Sequence, residues 1–193
     1  MSRQQWHNER ELVAMLRQGD ASAMEEVYTR FANYLTAICS RYVADDEDVR
    51  DVLQESFIKI FTKADTFHFE GEGSLKAWVV QITVNESLQF LRNQKRRDTV
   101  ALDDEHFEDK ADLPDEPPPV HDMPTEVLLE MIRKLPPGYR AVFNLFVIEG
   151  KTHKEIADLL GIQEQTSASQ LSRARKLLAV WIKNYRTKYQ ESR

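Results

Sequence analysis

Between Val49 and Phe61 the apolar side chains fall three and four residues apart: Val49, Val52, Leu53, Phe57, Ile60 and Phe61, with Ser56 among them. That spacing places them on one face of a helix, the face that buries. The opposite face carries Asp51, Gln54, Glu55 and Thr62, and Ile58 stands in its middle. A single exposed isoleucine ordinarily needs no explanation. One ringed by Asp51, Gln54 and Glu55 equally fits an apolar anchor with a polar rim, and the pattern alone leaves the two readings even.

A second helix is predicted from near Leu75 to Arg97, with Ser74 placed to cap its start. Leu75, Trp78, Val79 and Ile82 form one apolar stripe, and Ala77, Val80, Val84, Leu88 and Leu91 form another. A helix apolar on two sides is central in its domain. Between the stripes Asn85, Gln89, Arg92 and Arg96 share an arc of about 60°. Two amides followed by two guanidinium groups suit base reading near one end and phosphate contact near the other; a plain solvated surface has the same pattern. The preceding loop, Phe67 to Gly73, mixes aromatics with glycines. Such a loop can hold an unstacked base, though aromatics before a helix more often close a core.

The most specific pattern lies between His153 and Arg175. Ile156, Ala157, Leu160, Gly161 and Ile162 have the arrangement of a helix-turn-helix. A small alanine lets a second helix approach, and Gly161 permits the positive φ of the turn. In the helix predicted from about Gln163 to Tyr185, Leu171, Ala174, Leu178 and Trp181 fall within an arc of about 80°. Thr166, Ser169, Arg173 and Lys176 fall within another of about 80° that faces well away from the first. One face is for core and the other is polar and basic, as a helix that meets phosphates and base edges requires. Ser167 departs from the pattern, because an apolar residue is usual there.

Residues 9–98 thus read as a run of helices and residues 124–187 as helical again. Residues 99–123 break the pattern, with Pro114, Pro117, Pro118 and Pro119, and nine acids against one lysine between Asp103 and Asp122. Such a segment has little to bury and reads as an extended linker. The expected fold class is all-α: two small helical domains joined by an acidic, Pro-rich tether.

A net charge of −6 argues against a nucleic-acid partner until its distribution is seen. From Ser87 to Arg97 the charges are Arg92, Lys95, Arg96 and Arg97, with no acid. From Gln165 to Lys188 they are Arg173, Arg175, Lys176, Lys183, Arg186 and Lys188, again with no acid. Local basic patches, not net charge, are the electrostatic footprint of DNA contact.

Other chemistry is thinly represented. Cys39 is the single cysteine, which rules out an intrachain disulfide and a multi-cysteine zinc site. His7, His68, His106, His121 and His153 are scattered without metal-ligand spacing, and neither a Gly-rich phosphate loop nor a nucleophile elbow is present. The Asp103-Asp104-Glu105 run reads as solvated charge. No enzyme activity, metal or cofactor is expected. Residues 1–11 carry no apolar signal segment, and no apolar run approaches the ~20 residues of a membrane span, so the cytosol is the expected compartment.

These pieces, over about residues 11–185, resemble the extracytoplasmic-function (ECF) group of bacterial RNA polymerase sigma factors. Gly19-Asp20 with Ala23-Met24 is similar to the group's opening pattern. Asp48 with Asp51-Val-Leu-Gln54-Glu-Ser-Phe57 resembles its polymerase-binding helix, and Trp78 to Asn85 its −10 recognition helix. Leu135-Pro136-Pro137 through Arg140 to Phe143 resembles the opening of its fourth region, and Gly161 to Lys176 its −35 recognition helix. The resemblance implies that Asp51, Gln54, Glu55, Phe57 and Ile58 lie on the helix that docks on the β′ clamp helices of core RNA polymerase. It implies that the loop from Phe69 to Ser74, with Asn85, Gln89, Arg92 and Arg96, engages and helps open the −10 element. Thr166, Ser169, Ser172, Arg173 and Lys176 would face the −35 element. The linker 99–123 would thread through polymerase toward the RNA exit path, and an anti-sigma factor is a further implied partner. Gln89 stands where Asp is common, and Ala168 and Gln170 stand where Lys or Arg are common. The competing reading is a helix-turn-helix regulator that acts on duplex DNA without docking on polymerase; it accounts for residues 150–188 but not for the pattern around Gln54.

Overall fold

The computed structural model describes residues 8–97 and 123–190, apart from the side chains of 95–97 and 189–190. Most of the acidic segment 99–123 therefore lies outside the described residues. Among those described, eight α-helices and no strand occur: α1 (Glu9–Arg17), α2 (Ala21–Cys39), α3 (Asp46–Thr62), α4 (Ser74–Arg97), α5 (Thr125–Arg133), α6 (Pro137–Phe143), α7 (His153–Leu160) and α8 (Glu164–Gln190). They form two compact units, Met1–Phe90 and Leu91–Arg193, the division falling within α4.

In the first unit each helix start is marked by a side chain that accepts from otherwise orphaned backbone N–H groups. Asn8 accepts from Glu11 N at 2.8 Å, Asp20 from Ala23 N at 2.9 Å, and Asp45 from Glu47 N at 2.8 Å and Asp48 N at 3.2 Å. Three acids in the first turn of α3 suit its dipole. They also crowd one another: partial burial and the charges of Asp45 and Asp51 raise the Asp48 carboxyl above its ordinary pKa. α4 differs from expectation. Ser74 is the first residue of the helix rather than its cap, and the N–H groups of Gly73 and Leu75 are taken by the carboxylate of Glu9, at 2.9 and 2.7 Å. The core of the unit is built from Leu12 and Leu16 of α1, Val27 and Leu35 of α2, Val52 and Ile60 of α3, and Leu75, Val79 and Leu88 of α4, all buried. Buried hydroxyls within these stripes are satisfied locally: Ser56, Thr83 and Ser87 donate to the carbonyls of Val52, Val79 and Thr83 at 2.7–3.0 Å.

The second unit packs α5 and α6 against the later turns of α8, with Met123, Met131, Leu135, Tyr139, Ala174, Leu178 and Ile182 in one cluster. Pro137 opens α6, where its missing N–H costs nothing. A π-helical turn, Asn144–Ile148, continues α6. Arg140 is buried, and its Nη1 donates to the Arg133 carbonyl at 2.5 Å. Burial and then the Arg133 charge lower its pKa to about 10, so it remains a cation at neutral pH. A Thr152–Glu155 capping box opens α7. Its backbone and hydroxyl donors hold the Glu155 carboxyl below the usual range. Gly161 ends α7 at φ 65°, the left-handed conformation read from the sequence. The long C-terminal helix begins where the pattern places it and runs five residues past Tyr185, to Gln190.

Candidate functional site

The outer face of α3 matches its binary pattern. Asp51, Gln54 and Glu55 are exposed, and Ile58 is 45% exposed among them. Phe57, grouped with these residues from the sequence, is buried at 5% exposure. Its ring lies 4.8 Å from that of Tyr28 on α2 and 5.8 Å from that of Phe61. Phe57 therefore seats α3 on α2 from the buried side of the helix. Lys59 joins Glu86 of α4 at 2.7 Å and holds the same helix from its other flank. The result is a firmly seated helix with one apolar side chain standing in a polar surround.

In the loop before α4 the two rings divide their duties. Phe67 is buried against Trp78, with centroids 5.2 Å apart, and closes the core. Phe69 is half-buried, and the Arg10 guanidinium lies 5.4 Å from its centroid. Along α4, Asn85 is exposed and accepts from Gln81 Nε2 at 3.0 Å. Gln89 and Arg92 are partly buried, and the side chain of Arg96 lies outside the described residues. Among the described side chains of that arc, Asn85 is the exposed one.

The helix-turn-helix is α7, the Gly161 turn and the first half of α8. Ser169 and Ser172 are exposed on α8, whereas Thr166 and Lys176 are partly buried. Arg173 is also partly buried and donates to the Tyr139 hydroxyl at 3.4 Å, so α6 steadies its guanidinium. Gln170 faces α6. A Cβ built on Gly138 would come within 3.1 Å of its amide nitrogen. Position 170 therefore lies against α6.

Ser167, the polar residue at an apolar position, is fully buried, and its Oγ lies 2.9 Å from His153 Nδ1. The His153 ring stacks on Phe146 at 4.7 Å, and the Arg175 guanidinium lies 5.7 Å from the Phe146 centroid. Nothing in the spacing along the chain singles out His153 as a partner of Ser167. Its role depends on a partner fourteen residues away across the turn, outside any helical period. His153→Leu is expected to leave the Ser167 hydroxyl without its partner and to destabilise the second unit by about 1–3 kcal/mol. Adding Ser167→Ala should recover part of that loss. Urea unfolding of the single and double variants measures both; equal stability of His153→Leu and wild type would contradict the pairing.

Among the described residues no group of three or more His, Cys, Asp or Glu is placed to hold a metal, and no helix is long and apolar enough to cross a membrane.

Comparison with known proteins bears on both units. The Sigma-70 region 2 family matches residues 27–97 and the Sigma-70 region 4 family matches residues 125–178. The ECF RNA polymerase sigma-E factor of Haemophilus influenzae is 30% identical over 175 residues, covering 86% of this chain and 91% of that protein. This chain belongs to the ECF RNA polymerase sigma factors. The sigma-E factor of Escherichia coli K12 is 31% identical to this sigma factor over the same length, covering 86% of the chain and 90% of that protein. A solved complex described as the sigma factor RpoE with the anti-sigma factor NepR from Bartonella quintana aligns at 21% identity and a TM-score of 0.48. That alignment covers 82% of this chain and 96% of that one. Sigma factors are transcription-initiation factors, and membership accounts for both matched segments, including the one that a regulator made of the helix-turn-helix alone leaves unexplained. Helix α1 of this sigma factor precedes the region 2 match.

Proposed function

We propose that this sigma factor binds core RNA polymerase through the outer face of α3 and carries it to promoters that it reads with both units. Asp51, Gln54, Glu55 and Ile58 form the docking surface for the β′ clamp helices, with Phe57 beneath them as support. Phe69, Ser74 and Asn85 engage the −10 element, with Gln89, Arg92 and Arg96 further along the same helix. Thr166, Ser169, Ser172, Arg173 and Lys176 engage the −35 element. Residues 9–98 and 124–187 act as the two functional domains and 99–123 as their tether, in the cytoplasm where polymerase and promoter DNA meet. The observation that carries the reading is Ile58, 45% exposed on a helix whose other large apolar residues are buried or half-buried, set in a polar rim of the kind that surrounds an interface anchor.

Run-off transcription with purified core polymerase on promoter fragments tests the whole reading. Transcripts that depend on this protein and start at fixed distances from shared −35 and −10 sequences are expected. DNA binding by the protein with no transcript in the presence of core polymerase would overturn it in favour of a regulator that works alone.

A further inference from the structure

Helix α1 lies before the segment that matches region 2, and three of its charged side chains, Glu9, Arg10 and Arg17, meet the stretch before and at the start of α4. At its start Glu9, only 7% exposed, turns its carboxylate to the first turn of α4: Oε2 accepts from Gly73 N at 2.9 Å, and Oε1 accepts from Leu75 N at 2.7 Å. The Ser74 hydroxyl lies 3.1 Å from the same Oε1 and 2.6 Å from the Gly71 carbonyl, so its one proton serves one or the other. In return Glu72 Oε1 accepts from Glu9 N at 3.3 Å, so each segment caps the other's backbone. Arg17, at the far end of α1, donates from Nε to the Ala64 carbonyl at 3.3 Å and from Nη2 to the Phe67 carbonyl. Arg10 lies 5.4 Å from the Phe69 centroid.

Glu9 and Arg17 are eight residues apart, so they share a helix face and stand about 12 Å apart along its axis. They grip the two ends of the stretch from Ala64 to Leu75. That stretch contains Gly71 at φ 128° and Gly73 at φ 91°, conformations that glycine enters at a high entropic cost of ordering. A carboxylate accepting two backbone donors at a helix N-terminus is among the stronger local constraints available, because the bonds are charge-assisted and the helix dipole favours the charge. Burial also commits the negative charge inward, toward these donors.

We propose that α1 is a splint for the loop 67–74, with Glu9 and Arg17 as positioning residues that preset the loop's shape for promoter selection. The inference rests on the reading of this loop as part of the −10 contact. A loop held in its working shape before DNA arrives loses less entropy on binding and discriminates better between correct and incorrect sequences. α1 thereby acts on promoter choice without touching DNA.

The test is competitive transcription by core polymerase with full-length protein, on one promoter pair that differs only in the −10 element and another that differs only in the −35 element. Glu9→Gln keeps the size of the side chain but sets an amide N–H₂ against a backbone donor. It is expected to reduce the −10 preference about tenfold, the scale of one lost charged hydrogen bond, while the −35 preference and the affinity for core polymerase stay at wild-type values. Arg10→Ala, an exposed substitution that cannot unfold the domain, should reduce the −10 preference about twofold through the lost ring contact. Phe69→Ala reports on the loop itself. A shift with Phe69→Ala but none with Glu9→Gln or Arg10→Ala would overturn the splint and spare the loop assignment. No shift with Phe69→Ala would overturn the loop assignment and the splint with it. A parallel fall in both promoter preferences for Glu9→Gln would mark a general loss of structure and overturn the positioning role.

Discussion

Ile58→Glu is expected to weaken binding of core RNA polymerase by at least about thirtyfold, the equivalent of ~2 kcal/mol for a central interface anchor. Ile58 is 45% exposed and surrounded by Asp51, Gln54 and Glu55, all exposed. In water a glutamate there is at ease, so the stability of the free protein should change by no more than about 0.5 kcal/mol. In a docked complex the same carboxylate would be desolvated without a partner and would add a third acid to a face that already carries Asp51 and Glu55, and both effects oppose binding. Gln54→Ala should act in the same direction and more weakly, because a polar group of the partner loses its match. A titration against core polymerase, alongside circular dichroism of the free variants, separates binding from folding. Near-wild-type binding by both variants would make this face of α3 ordinary solvated surface and would remove the docking helix from the proposed function.

What the sequence discloses about this protein follows the range of the interactions concerned. The period of α3, the two-sided character of α4 and the Gly161 turn are set by neighbours within a few residues, and each is visible as spacing. Interactions that join distant segments leave no such trace. The Glu9 carboxylate caps α4 across 66 residues, whereas along the chain Ser74 is the capping residue by type and place. His153 and Ser167 look like two oddities along the chain and become one satisfied buried pair once α7 lies on α8. Gln170 looks like a missing DNA contact and is a packing partner of Gly138. The arc from Asn85 to Arg92 was legible as an arc, but its exposure was not. Gln89 and Arg92 are partly covered, and Arg92 Nη1 donates to the Leu159 carbonyl at 2.7 Å, a partner 67 residues along the chain that no spacing discloses.

Phe57 provides the sharpest contrast with its neighbour in sequence. One residue before Ile58, it faces about 100° away around the helix and is 5% exposed, with the Tyr28 ring 4.8 Å away on α2. Phe57→Ala is expected to destabilise the first unit by about 3–5 kcal/mol, the usual cost of emptying a buried aromatic site. The loss should be at the high end of that range if α2 and α3 cannot close on the emptied site, since the cost grows with the cavity left behind. Phe57→Leu, which keeps much of the apolar volume, should lose far less. Under conditions where Phe57→Ala is still folded, its affinity for core polymerase should remain within a few-fold of wild type, since the exposed face of α3 is intact. Urea unfolding followed by helix signal gives the stability of each variant, and titration below the unfolding transition gives the affinity. A stable Phe57→Ala protein that binds polymerase as poorly as Ile58→Glu would show that the ring leaves its site on docking and contacts the partner directly, and Phe57 would then rejoin Ile58 in the interface.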